Sequence, residues 1–331
     1  MDREQTRAMN TKKPEQKPAN KSAVEPDKKK LFLTAAFVLV IAVFVCFSAI
    51  IVTELVYKFT GEPQSAPSQK GEIKYVSQSF SESAVHEGDL ILVKLGYEYV
   101  FPSEDKTNRV QVFSFKNSSY AVRNLDQYLE RDTVDQLNAL MAELERVTGV
   151  TDVQLYNGYR SYETQKNDYE KYSDEVAAGF SEHHTGTSFD LNILNGGSIY
   201  NNETVLNFMK ANAHKYGFID RYPDDKIDLT EVYHDSSIKV RSVHYRYVGY
   251  AHAYYMSAND LCLEEYLKLL STNYSYEGEH LKFTGDNTKT YEVYYVAKTG
   301  AQTEIFVPEG YSYTVSGDNM NGFIVTVCLD K

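Results

Sequence analysis

A run of 23 residues without a single charge, Leu31 to Thr53, constrains this chain most. It is bounded by Lys28-Lys29-Lys30 on one side and Glu54 on the other. A helix needs ~20 apolar residues to cross a bilayer. The run is too long for the apolar part of a cleaved signal peptide, and no clear cleavage site follows it. It is expected to be an uncleaved transmembrane helix. The basic flank places the N-terminus in the cytoplasm, so everything after the helix faces the outside of the cell membrane. Residues 1–30 carry nine Lys/Arg and five Asp/Glu, with several prolines, and read as a disordered cytoplasmic tail. Residues 54–84 read as a linker, because Thr60 to Gly71 is rich in Pro, Ser, Gln and Gly.

Beyond residue 30 the chain carries 25 basic and 41 acidic residues. That balance argues against nucleic acid as a partner. The three cysteines make no disulfide framework. Cys46 lies in the apolar run, and Cys262 and Cys328 are expected as two buried thiols.

The folded part is expected to begin near Val85. Asp89 to Val93 has strand character. Asp132 to Thr148 is predicted as a helix: Val134, Leu137, Leu140, Met141, Leu144 and Val147 share one face, and Gly149 can end it. Val153 and Leu155 alternate in a strand that stops at Asn157-Gly158. Helices are predicted over about 161–177, 203–216 and 261–270. Strands are predicted over 189–194 and 244–248. From about residue 275, short Tyr/Val/Ile/Phe runs alternate with Gly-containing turns and read as four strands of a small all-β module.

The stretch Ser181-Glu182-His183-His184-Thr185-Gly186-Thr187-Ser188-Phe189-Asp190 carries the chemistry. His183 and Asp190 flank a glycine turn and are too far apart for one helical face. Asp190 sits in an otherwise apolar strand, where an unpaired carboxylate is costly and a divalent cation would supply its partner. His244 is the third candidate. Two imidazoles, a carboxylate and an open position make a catalytic zinc site.

This stretch resembles the zinc motif of the VanY-type D-alanyl-D-alanine carboxypeptidases. Gly158-Tyr159-Arg160-Ser161-Tyr162-Glu163-Thr164-Gln165 resembles that family's substrate-binding segment. Asn212 to Phe218, with Arg221-Tyr222-Pro223, resembles the helix and turn between its ligands. His244-Tyr245-Arg246-Tyr247-Val248-Gly249 resembles its third-ligand strand. The resemblance covers residues 85–272, and 273–331 lie outside it. It implies an α+β fold in which a small antiparallel sheet and helices carry the site. It also implies zinc held by His183, Asp190 and His244, and peptidoglycan stem peptide as substrate. Arg160 is then expected to bind the substrate or the developing oxyanion, with Ser161, Gln165 and Ser181 beside it.

One position departs. The family places a glutamate three residues before the third ligand, and here Arg241 stands there. A guanidinium does not act as a base. If a short insertion separates base from ligand, Asp235 takes the base's place; Glu231 is the poorer candidate. The alternative is a degenerate member that binds wall peptide or a protein partner without turnover.

Overall fold

The computed structural model describes residues 73–103, 106–172, 175–221, 223, 226 and 243–330. The expected tail, the transmembrane helix at 31–53, most of the linker, Glu231, Asp235 and Arg241 lie outside these. Among the described residues, no helix is long and apolar enough to cross a membrane.

Residues 72–331 form one compact unit, a mixed α+β fold. Its main sheet runs β3 (Ala121–Val122), β5 (Val153–Asn157), β6 (Ser188–Asn195), β9 (Val243–Tyr247), β8 (Phe218–Asp220), with the short β7 (Ser198–Ile199) also on β6. All pairs are antiparallel except β3 with β5. A ribbon of β2 (Arg109–Gln111) and β4 (Tyr128–Glu130) lies outside this sheet.

Helix α1 (Arg131–Thr148) buries the apolar stripe that its sequence predicts, Val134, Leu137, Leu140, Met141 and Leu144, against Leu155, Phe189 and Leu191 of the sheet. Val147, expected on the same face, is exposed. Gly149 ends the helix at φ 71°, in the left-handed region open to glycine. Helix α2 (Tyr162–Lys171) is shorter than predicted. Ser161 caps it, its hydroxyl accepting from the Thr164 amide. Helix α3 (Glu203–Asn212) continues as a 3₁₀ turn to Tyr216. Helices α4 (Tyr250–Ala258) and α5 (Leu263–Asn273) follow the main sheet. The sequence reading had no helix at α4, whose residues show little amphipathic periodicity.

The C-terminal strands are β10 (Leu281–Thr284), β11 (Thr290–Ala297), β12 (Gln302–Pro308), β13 (Ser312–Gly317) and β14 (Gly322–Cys328). Four of them form one sheet, β10-β11-β14-β13, and β12 pairs instead with β1 (Tyr75–Ser81). Two expectations are corrected here. The stretch assigned to linker up to residue 84 supplies β1 and the 3₁₀ turn Glu82–His86. Its polar, alternating sequence makes a strand only because β12 pairs with it. Asp89 to Val93 is no strand; Leu90, Ile91, Leu92 and Val93 are buried as an irregular segment, pinned by Arg246 through the carbonyls of Asp89 and Ile91.

The C-terminal strands are not separate from the rest. Leu263, Tyr266, Leu267 and Leu270 of α5 share one core with Val293, Tyr295 and Ile324. On the opposite face of β11, Tyr294 packs with Ile305, Val307, Phe323 and Val325, as the two-residue strand period dictates. Cys262 is buried, Cys328 is half-buried, and neither is in a disulfide.

His252 fastens the two layers. It is buried between the Tyr266 hydroxyl and the Thr326 hydroxyl, 2.9 Å from each. Burial pushes its pKa down from 6.5 to about 3. The unfolded chain therefore binds this proton first. The stability contributed by the neutral, buried His252 is full above pH 6.5 and falls as the pH drops from there toward 3, at about 1.4 kcal/mol per unit. Urea midpoints between pH 7 and 5 are expected to fall less steeply in His252→Gln. An identical pH slope would show that His252 does not set it.

Candidate metal centre

Three neighbouring strands lay the cluster out in a row. Asn157 of β5 stands opposite Asp190 of β6, and Asp190 stands opposite His244 of β9. His183 comes from the 3₁₀ turn Glu182–Thr185 that leads into β6. Gly186 closes this turn at φ 71°, so the glycine reversal read from sequence is present. Ligand atoms of His183, Asp190 and His244 all lie within 4.8 Å of one another. Nε2 of His183 is 3.3 Å from Asp190 Oδ2, and Nδ1 of His244 is 2.7 Å from Asp190 Oδ1.

Each of the three has an outer partner. His183 Nδ1 lies 2.8 Å from the Gly158 carbonyl, so it carries the proton and leaves the Nε2 lone pair facing Asp190. Asn157 donates to Asp190 Oδ2 at 2.7 Å. His244 Nε2 faces Glu182 Oε2 at 3.6 Å. Metal-ligating histidines and carboxylates are oriented by such partners. The donor set therefore fits a divalent cation, and two nitrogens with one oxygen suit zinc. Loss of an outer partner typically costs 10–100-fold in metal affinity. Asn157→Ala is expected to weaken metal retention by about that factor, read by competition with a chelating dye. Unchanged retention would mean that the amide does not orient Asp190.

Burial lowers the His183 pKa, and although burial also disfavours charge at Asp190, the neighbouring His183 and His244 hold its carboxyl well below the usual range. Burial disfavours charge on His244 too, but the carboxylates of Asp190 and Glu182 raise it to about 9. A cation bound to the same atoms would take the place of that proton.

Behind the cluster lies a group that sequence reasoning missed. Glu182 is 1% exposed, and its Oε1 accepts from Arg221 Nε at 2.6 Å and Arg246 Nη1 at 2.9 Å. Both guanidiniums are fully buried. Arg221 also forks onto Glu264. Burial works against ionisation of Glu182, but the two guanidiniums hold it ionised well below the usual range. One signal was available. Arg246 is two residues from His244, so in a strand both face the same side.

Arg160 stands next to His183, its amide donating to the His183 carbonyl. Its Nη1 reaches Glu175 Oε2 at 2.7 Å and Gln165 Oε1 at 3.1 Å. Gln165 is fully buried and also bonds Glu175 and the Val176 carbonyl, which holds it against Arg160. Ser161 serves as the cap of α2, and Ser181, 4% exposed, supports the turn through its carbonyl. Ser161, Gln165 and Ser181, the residues expected beside Arg160 at the substrate, thus also hold contacts within the fold. His184 points away from the cluster, between the Gly179 amide and the Arg160 carbonyl.

A mixed α+β fold with a His–Asp–His cluster set across its central strands has the donor set of a divalent-cation protein. The VanY family model, described as D-alanyl-D-alanine carboxypeptidase, matches residues 126–250, which contain all three cluster residues. A D-alanyl-D-alanine carboxypeptidase of Enterococcus faecium is 30% identical over 256 residues, spanning 76% of this chain and 78% of the relative. A putative carboxypeptidase, YodJ, of Bacillus subtilis (strain 168) is 26% identical over 230 residues, 63% of this chain and 81% of the relative. The crystal structure of the vancomycin-resistance D,D-dipeptidase VanXYg, in complex with a D-Ala-D-Ala phosphinate analogue, superposes with a TM-score of 0.65 at 25% identity, covering 77% of this chain and 99% of that one. The chain belongs to the VanY family of D-alanyl-D-alanine carboxypeptidases.

Proposed function

We propose that this chain is a membrane-anchored, extracytoplasmic zinc carboxypeptidase that removes the terminal D-alanine of peptidoglycan stem peptides. The observation that carries the reading is the convergence of His183, Asp190 and His244 within 4.8 Å, each held by its own outer partner. His183, Asp190 and His244 would hold a zinc ion, which would lower the pKa of a water and polarise the scissile carbonyl. Arg160, oriented by Glu175 and Gln165 beside His183, pairs with the substrate's terminal carboxylate through its planar fork. Its exchange of Glu175 for that carboxylate is charge-neutral. Glu182 is a poor general base, because two guanidiniums already engage it. The base is assigned to Asp235, which stands in the sequence where the family's segment runs into its glutamate.

The test is metal content and D-alanine release from a D-Ala-D-Ala peptide, measured on one preparation of the full chain, with Asp235→Ala beside it. Stoichiometric zinc, turnover in the parent and a loss of ~10²–10⁴-fold in Asp235→Ala are expected. A chain without metal sinks the zinc reading, and full activity in Asp235→Ala sinks the base. The anchor has its own test: a reporter fused after Lys331 is expected outside the cell membrane.

A further inference from the structure

A second polar cluster, unrelated to the metal ligands, lies where the start of β1 meets the edge strand β10. A cavity of about 640 Å³ there is lined by Tyr75, Tyr274, Tyr276, His280, Lys282 and Glu292, among others. Glu292 is 2% exposed. Its Oε1 accepts from His280 Nδ1 and lies 3.5 Å from both the Tyr75 hydroxyl and the Lys282 ammonium. Its Oε2 is buried with no hydrogen-bond partner among the described residues. A buried carboxylate oxygen without a donor is costly and rare.

The chemistry of the missing donor follows from the neighbours. Both His280 nitrogens face acceptors, Glu292 and the Tyr276 carbonyl, so the ring is an imidazolium. With that cation and Lys282 already against it, the carboxylate needs no further positive charge. What it lacks is a neutral hydroxyl. Three tyrosines line the cavity with it, Tyr75, Tyr274 and Tyr276, and Tyr75 meets Tyr276 edge-on at 5.5 Å. Flat apolar faces beside a few fixed polar groups match a ring with apolar C–H faces and a hydroxyl rim.

We propose that this cavity binds a pyranose unit of a glycan chain, with Glu292 accepting from its hydroxyls and the tyrosines against its faces. Resting on the carboxypeptidase reading above, the occupant is the glycan strand of the cell wall, held while the metal centre acts on a stem peptide.

The test uses the full chain in mild detergent, with wall glycan freed of its peptides as the probe. The His280 ring resonances are expected to shift saturably, and Glu292→Gln to weaken binding by about tenfold or more. D-alanine release from a soluble peptide is expected to be unchanged in Glu292→Gln. A parent sample whose metal has been chelated loses hydrolysis and keeps glycan binding; failed hydrolysis by itself strikes only the carboxypeptidase reading. Unmoved His280 resonances in the parent overturn the proposal whether or not the variant folds. Equal binding by Glu292→Gln overturns it as well. Equal binding of an oligoglucose overturns the wall strand as occupant.

Discussion

His183→Ala is expected to lose the bound metal and with it D-alanine release, by ~10³-fold or more. The figure follows from the several kcal/mol that a metal supplies by stabilising charge in the transition state, at about 1.4 kcal/mol per tenfold. Among the described residues, no other imidazole is placed to substitute for His183. Its Nδ1 is committed to the Gly158 carbonyl, which turns Nε2 toward Asp190. His184, the adjacent imidazole, has both nitrogens engaged elsewhere, with the Gly179 amide and the Arg160 carbonyl, so it does not rotate in without breaking the turn. Asp190 and His244 alone leave two ligands where a catalytic zinc site uses three. Metal analysis and turnover on the same sample decide the matter. Stoichiometric metal with undiminished turnover in His183→Ala would sink the assignment.

Glu182→Ala is expected to destabilise the whole fold by about 3–5 kcal/mol, the usual cost of removing one member of a buried ion pair. Arg221 and Arg246 have no exposed surface, so neither guanidinium turns to water when the carboxylate goes. The damage spreads because the two arginines hold distant parts together. Arg246 fixes the carbonyls of Asp89 and Ile91, and Arg221 ties β8 to Glu264 of α5. Glu182→Gln keeps the shape and one acceptor, and is expected to fall between parent and alanine variant. Equilibrium urea midpoints measure this. The pH dependence has a definite sign: the native pKa of Glu182 lies below its unfolded value of 4.5, so the pair's contribution is present above that pH and is lost as the pH falls through the native value. An alanine variant as stable as the parent would mean that the triad contributes nothing net.

The two predictions separate what each ligand neighbour does. His183 is tested as a metal ligand, whereas Glu182 is tested as part of the frame that also faces His244 Nε2. A variant that keeps stability and loses metal belongs to the first group. One that loses both belongs to the second.

The sequence by itself determined the local features. The 3.6-residue spacing of Val134 to Leu144 specified α1, and Gly149 its end. The glycine between His183 and Asp190 specified a turn into a strand. These are legible because each depends on neighbours a few residues away. Tertiary structure decided the rest. Glu182 meets Arg246 across 64 positions, and Tyr75 meets Glu292 across 217. No periodicity reports such a meeting. The same holds for β1, whose polar sequence becomes a strand because β12 offers it an edge. It holds for His252, whose burial comes from α5 and β14 closing over it. Burial and charge pairing are set by which distant segments share a core, and that is fixed only when the chain has folded.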